Sequence, residues 1–178
     1  CYNGDIKKQG GSPDFLKESA AKGRKRPMKE WIVFLDSGDT LVDETTQEFD
    51  ERGIVLRAQL IPGARELLET LRREGIAVAM VADGQAESFR NVYRGLGLES
   101  YFAQRIYSSD VGAEKPSPLM FETALRAMGL TDADKGCIVM MGNHVKKDII
   151  GANRFGITSV LIDWSHRYPT VPETPDET

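Results

Sequence analysis

Asp36 is the side chain best placed to do chemistry. It closes the apolar run Trp31-Ile32-Val33-Phe34-Leu35 and opens the stretch Ser37-Gly38-Asp39-Thr40-Leu41. Five apolar residues in succession suit a central parallel strand covered on both faces, and ligands of open α/β sheets collect at the carboxyl ends of such strands. A buried strand therefore delivers an acid to a sheet edge. The alternative is an ordinary turn, since Ser, Gly and Asp are common turn formers. Three later stretches weigh against that: Val81-Ala82-Asp83-Gly84 after an apolar run, Glu114-Lys115-Pro116 ahead of a helix, and Met141-Gly142-Asn143 after another apolar run, with Asp148 a few residues on.

In this order the four stretches resemble the motifs of the haloacid-dehalogenase-like (HAD) superfamily. There an apolar strand ends in Asp-x-Asp-x-Thr-Leu, and the first Asp attacks a phosphoryl group or a carbon centre. Asp36, Thr40 and Leu41 match. Gly38 stands where most of the family's phosphatases carry a second Asp, and Asp39 stands one place later, where they usually have Gly. The second motif looks like Ile76 to Gly84, with Ala82 in place of a Ser or Thr. The third is similar to Lys115-Pro116. The fourth looks like Ile138 to Asn143 with Asp148 as its later acid, and Asn143 replaces the first Asp of that motif. The resemblance spans residues 31 to 165.

The resemblance implies a Mg²⁺-dependent phosphate-ester hydrolase working through an aspartyl-phosphate on Asp36. Phosphoryl transfer is mostly positioning and charge neutralisation, so a carboxylate nucleophile needs a divalent ion to offset its repulsion from the phosphate. Asp36, the backbone carbonyl of Gly38, the amide oxygen of Asn143 and Asp148 are the implied share of the Mg²⁺ ligands, the rest being water. Ala82, Asp83 and Lys115 stand at the implied phosphate site, where Lys115 also holds Asp36 ionised. With no acid at Gly38, proton transfer falls to Asp39 or Asp83, a role typically worth about 10²–10⁴ in rate. The competing reading has those two acids merely hydrogen-bonding turns. The chain is then a weak or inactive module that binds a phosphorylated ligand or a protein partner. Carbon–halogen hydrolysis ranks third, because dehalogenases of this family generally carry a cap domain.

The elements that must position these residues alternate as an α/β sheet demands. After Pro62, Ala64, Leu67, Leu68 and Leu71 recur at helical spacing until Gly75, and a strand covers 76–82. A helix after Gly84 turns Ala86, Phe89, Tyr93 and Leu96 inward and closes at Gly97. A short strand over 105–107, a helix with Phe121, Ala124, Leu125 and Met128, a strand over 137–142, a helix with Val145, Ile149 and Ala152 on one face, and a strand over 158–162 follow. The expected fold is α/β: a Rossmann-like doubly wound parallel sheet in three α/β/α layers, with no separate cap domain. Residues 44–61 are too few for an independent helical cap, and 84–115 hold only one helix and one strand. Such an open site suits a large phosphorylated substrate, or a second copy of the chain acting as lid.

Composition fits that size of unit. The 178 residues are 40% hydrophobic and 28% charged, enough for one domain burying roughly 70% of its unfolded surface. No apolar run approaches the ~20 residues of a membrane span. Residues 1–30 carry eight Lys/Arg against four acids, while the remainder holds 15 against 23. The first 30 residues read as a flexible basic arm whose Arg24-Lys25-Arg26 cluster is solvated, with no nucleic-acid partner expected. Residues 166–178, rich in Pro, Thr and acids, read as a disordered or truncated tail. The chain opens on Cys1, which reads as a fragment or a processed product. Cys137 begins an apolar strand as a buried inert thiol, and the absence of a disulfide framework makes a reducing cytoplasm the expected compartment.

Overall fold

The computed structural model describes residues 31–165 and 167. The basic arm expected over 1–30, and all of the tail expected over 166–178 except Arg167, lie outside the described residues. In chain order the elements are β1 (Ile32–Leu35), the hairpin strands β2 (Val42–Phe49) and β3 (Val55–Leu60), α1 (Ala64–Arg73), β4 (Ala77–Ala82), α2 (Ala86–Gly95), β5 (Gln104–Tyr107), the short α3 (Ser108–Val111), α4 (Pro118–Ala127), β6 (Ile138–Gly142), a π-helical turn over Val145–Ile150 running into α5 (Gly151–Phe155), and β7 (Thr158–Leu161). Five strands form a parallel sheet in the order β5-β4-β1-β6-β7.

The sequence of β1 explains its central place. Its four residues are all apolar and buried, and alternate side chains enter opposite faces of the sheet. Val33 and Leu35 join Met80, Leu68, Val92 and Tyr93 in a core beneath α1 and α2. Ile32 and Phe34 join Val81, Met140, Met120 and Phe121 in a second core beneath α4 and α5. Each such side chain contributes about 1.5–3 kcal/mol of burial. The sheet is thereby sandwiched in three layers, as the apolar runs imply. Its helices begin where the local chemistry allows: Pro118 opens α4 and Ser117 caps it by accepting from the Leu119 amide.

Register then sets the site. Leu35 lies opposite both Met80 and Met141, so β1, β4 and β6 end nearly level. Asp36, Asp83 and Asn143 emerge at one edge. The chain leaves β1 toward β4 and later returns to β6 on the other side, which makes this edge the switch point of a doubly wound sheet.

The hairpin is the element that hydrophobic pattern did not reveal. Of its strands and turn only Val42, Ile54 and Val55 are buried hydrophobics, so the apolar alternation is too sparse to read. Its turn is built by Asp50, whose Oδ1 accepts from the Arg52 and Ile54 amides, with Gly53 at positive φ. The Ser88 hydroxyl accepts from the Val55 amide, and the Asn91 side-chain amide donates to the Val55 carbonyl, fastening the hairpin onto α2. It is a flap rather than a cap with its own core. No helix among the described residues is long and apolar enough to cross a membrane.

The two cores and the flap should respond differently to mutation. Phe34→Ala, which empties a fully buried position, should cost about 3–5 kcal/mol in urea unfolding. Phe49→Ala, at a 57% exposed flap position, should stay within about 0.5 kcal/mol of wild type. Comparable losses from both would contradict this placement of the core.

Candidate active site

Asp36 extends β1 by one residue: its amide donates to the Met141 carbonyl at 2.9 Å, which fixes the backbone and leaves the carboxylate at the sheet edge. Asp148 arrives from the opposite side, on the π-helical turn after β6. It is fully buried, and its Oδ2 accepts from the His144 amide at 2.9 Å. Gly142 makes room for it, because a Cβ there would run into the Asp148 carboxylate. Lys115 reaches between the two acids from the loop after α3. Its Nζ donates to Asp36 Oδ1 at 2.7 Å and to Asp148 Oδ1 at 2.6 Å, with only 3% of the residue exposed.

A second charged group lies alongside. Asp83 Oδ1 accepts from the Lys115 amide at 3.0 Å, and Asp83 Oδ2 pairs with Lys147 Nζ at 3.0 Å. Lys147 also meets Glu114 Oε2 at 3.0 Å. With both oxygens engaged, Asp83 holds the lysine loop against the end of β4.

Burial raises the Asp36 carboxyl to about 7; Lys115 opposes the rise and Asp148 adds to it. For Lys115, burial alone would lower the ammonium, but Asp36, Asp148 and Asp83 outweigh it and hold the group above its ordinary value. The lysine therefore stays charged while Asp36 is poised near neutrality. Burial lowers His144, which lines the same cavity as a neutral ring at pH 7. Beneath the cluster, the buried Tyr93 hydroxyl and Ser37 Oγ share a hydrogen bond at 2.8 Å.

The remaining sequence candidates divide. Asn143 lines the cavity and is 8% exposed; its Oδ1 accepts from Thr40 Oγ1 at 3.5 Å, and its Nδ2 is buried with no hydrogen-bond partner among the described residues. Asp39 does not line the cavity. Its backbone is left-handed, at φ 47°, which turns the carboxylate into the protein. There Oδ1 accepts from the Glu44 amide at 3.1 Å, while Oδ2 takes Ser165 Oγ at 3.1 Å and Arg167 Nε at 2.8 Å. Asp39 braces the flap, and the expectation that it faces the reaction is corrected. Ala82 is 1% exposed, packs in the core and does not line the cavity with its side chain. The hydroxyls near it, Ser108 and Ser109, accept from the amides of Gly84 and Ala86 and shape the following loop. Arg167, expected in a tail without structure, instead pairs with Asp39 and Glu44.

Glu44, His144 and Lys147 complete a cavity of about 90 Å³ with Asp36, Gly38, Asp83, Lys115, Asn143 and Asp148. Glu44 escaped sequence reading because the turn after β1, not any motif, brings it back over Gly38. Four acids face two lysines there, a surplus of carboxyl groups that suits a divalent cation. Among the described residues no three His, Cys, Asp or Glu side chains are grouped to hold an ion by themselves. A resident ion would complete its shell from amide, carbonyl, water or phosphate oxygens, which is the habit of Mg²⁺. The donor chemistry fits that ion.

A larger cavity of about 250 Å³ adjoins the first, sharing Gly38, Glu44 and Asp83. It lies between the flap and α2. Val42, Val55, Phe89, Val92 and Tyr93 supply apolar walls, Gln47, Gln85 and Ser88 supply hydrogen-bonding groups, and no Lys, Arg or His lines it.

Comparison with known proteins points to one family. The family model of haloacid dehalogenase-like hydrolases matches residues 4–156. The phosphoserine phosphatase of Thermus thermophilus is 33% identical over 120 residues, 67% of this chain and 45% of the relative. Haloacetate dehalogenase H-2 of a Moraxella species is 29% identical over 127 residues, 69% of this chain and 54% of the relative. The chain thus spans about half the length of these curated relatives. Among solved structures, an uncharacterized protein from Listeria monocytogenes serotype 4b has a TM-score of 0.67 at 26% identity, with 82% of this chain and 85% of that one covered.

Removing the central ammonium should expose the cost of its neighbours. Lys115→Met leaves two buried carboxylates without their shared partner, and breaking such a pair costs about 3–5 kcal/mol near neutral pH. The Asp36 carboxyl, already raised by burial, then rises further above its ordinary value, so its contribution is present in acid and is lost as pH increases. Urea unfolding from about pH 5 to pH 8 should show a widening gap from wild type. A gap that narrows with pH would contradict this assignment of charge.

Proposed function

We propose that this chain, which belongs to the haloacid dehalogenase-like hydrolase family, hydrolyses phosphate monoesters with Asp36 as nucleophile. The observation that carries the reading is the buried Asp36–Lys115–Asp148 cluster at the carboxyl end of β1. A carboxylate attacking an anionic phosphoryl group needs its own charge and the phosphate's neutralised, and transition-state stabilisation comes chiefly from cations fixed in advance. Lys115 is such a cation, held by two acids so that it does not reorganise during reaction. Asp148 positions Lys115, and Asp83 and Lys147 hold the loop and the phosphate side of the cavity.

Mg²⁺ is the proposed resident ion, held by Asp36, Asp148, the Asn143 amide oxygen and the Gly38 carbonyl. When bound it supplies the positive charge that the surplus of carboxyl groups calls for. The larger cavity takes the alcohol portion of the ester. Its lining has no cation, so it favours an uncharged alcohol over one bearing a second anionic group. No second domain covers it among the described residues, which admits bulky esters; a second copy of the chain acting as lid is part of the same proposal.

A binding module is the second reading, favoured by Gly38 and Ala82, which lack side-chain groups to act on a phosphate ester. Turnover separates the two. Phosphate release with Mg²⁺ from a panel of monoesters should be measurable for wild type and absent for Asp36→Asn, while both unfold at similar urea concentrations. Equal release by the two would remove Asp36 as nucleophile. Asn143→Asp should tighten Mg²⁺ binding in calorimetry, and unchanged affinity would take Asn143 out of the ion's reach.

A further inference from the structure

We infer that Glu44, from the flap, is the proton-transfer group of the reaction; this rests on the hydrolase reading above. The observation is steric. A side chain at residue 38 would place its Cβ within the Glu44 carboxyl group, at Oε1 and Cδ. The Glu44 carboxylate therefore fills the space beside Gly38, two residues past the nucleophile, and lines the small cavity with Asp36 as well as the larger one proposed for the alcohol. It stands where the leaving oxygen passes from one cavity to the other.

The chain is built to bring it there. After β1 the amides of Thr40, Leu41 and Val42 all donate to the Ser37 carbonyl, and Gly38 bridges to Val42, so the backbone doubles back on itself. Asp39 then accepts from the Glu44 amide. Arg167 donates to Glu44 Oε2 at 3.3 Å while its Nε pairs with Asp39. A nucleophile, an acid/base group and a third group that orients the latter form a familiar catalytic logic. Asp39 is thereby a positioning residue, acting through Glu44, rather than a catalytic one.

The steps balance. As an Asp36 oxygen bonds to phosphorus, the bond to the alcohol oxygen breaks. That oxygen keeps the electron pair and takes the proton of the Glu44 carboxyl, releasing the neutral alcohol. Glu44, now a carboxylate, accepts a proton from water as the water oxygen bonds to phosphorus. The Asp36–phosphorus bond breaks with its electron pair returning to Asp36, and hydrogen phosphate leaves with Glu44 protonated again.

The test compares Glu44→Gln with wild type on 4-nitrophenyl phosphate, whose leaving group needs no proton, and on an alkyl phosphate, whose leaving group does. Steady-state rates should fall by about 10²–10⁴-fold on both. The first turnover should survive only on the aryl ester, giving a burst followed by accumulation of phosphoenzyme. Gly38→Asp combined with Glu44→Ala should recover much of the loss, because it moves a carboxylate into the same space from the other side; this double variant also serves if Glu44→Gln folds poorly. An undiminished steady state in Glu44→Gln would overturn the assignment. So would first turnovers slowed equally on both esters, the mark of a merely structural role. Wild type that releases no more phosphate than Asp36→Asn would remove the hydrolase reading, and the assignment with it.

Discussion

Two carboxylates buried at the end of one parallel sheet would repel each other and lose their hydration, and the ammonium of Lys115 between Asp36 and Asp148 is what makes the arrangement tolerable. Taking three charges out of water costs several kcal/mol per ion, recovered only when geometry is good and every remaining polar atom has a partner. The surroundings meet much of that demand, Asn143 Nδ2 being left without a partner among the described residues. The His144 amide caps the far oxygen of Asp148, Asp83 takes the Lys115 amide, and Gly142 yields the space that Asp148 occupies. Such a cluster adds little net stability of its own, which accords with the proposed role in phosphoryl transfer.

The flap shows how a small element can be tied to such a centre without a core of its own. Only three of its hydrophobic residues are buried, yet it is fastened at three points: to α2 through Ser88 and Asn91, to the loop after β1 through Asp39, and to the segment beyond β7 through Arg167. The last tie brings residue 167 to residue 39, so the far end of the described chain helps shape the cavity at its beginning. Positive φ at Asp39 is the pivot, because it turns one carboxylate away from the cavity and into the joint between these segments.

Much of this was legible in the sequence, for reasons that also mark the limit. β1, β4 and β6 read clearly because strands covered on both faces must be apolar throughout, and a polar residue at the end of each must then lie at the sheet edge. Asp36 and Asn143 stand at such strand ends, whereas Lys115 and Asp148 were found only through the resemblance to the family's motifs; all four line one cavity. Side-chain direction did not follow. Asp39 and Ala82 sit at the right places along the chain, but a left-handed backbone turns one inward and the core claims the other. Asp83 reaches the site, with one oxygen held by the Lys115 amide and the other paired with Lys147 on the turn after β6. The flap went unread because its strands are mostly exposed, and Glu44 because its nearness to Gly38 is made by a reversal of the chain that leaves no periodic trace. An absent carboxylate at residue 38 looked like a loss; in three dimensions the gap is occupied.

All of this turns on whether Asp36 takes the phosphoryl group. The most direct measurement is to mix the protein with Mg²⁺ and an aryl phosphate, quench in acid during turnover, and map the adduct by mass spectrometry of the peptides. One phosphoryl group carried by Asp36, lost on treatment with hydroxylamine, is the result expected. Turnover with no adduct on Asp36, or with an adduct on another residue, would contradict it.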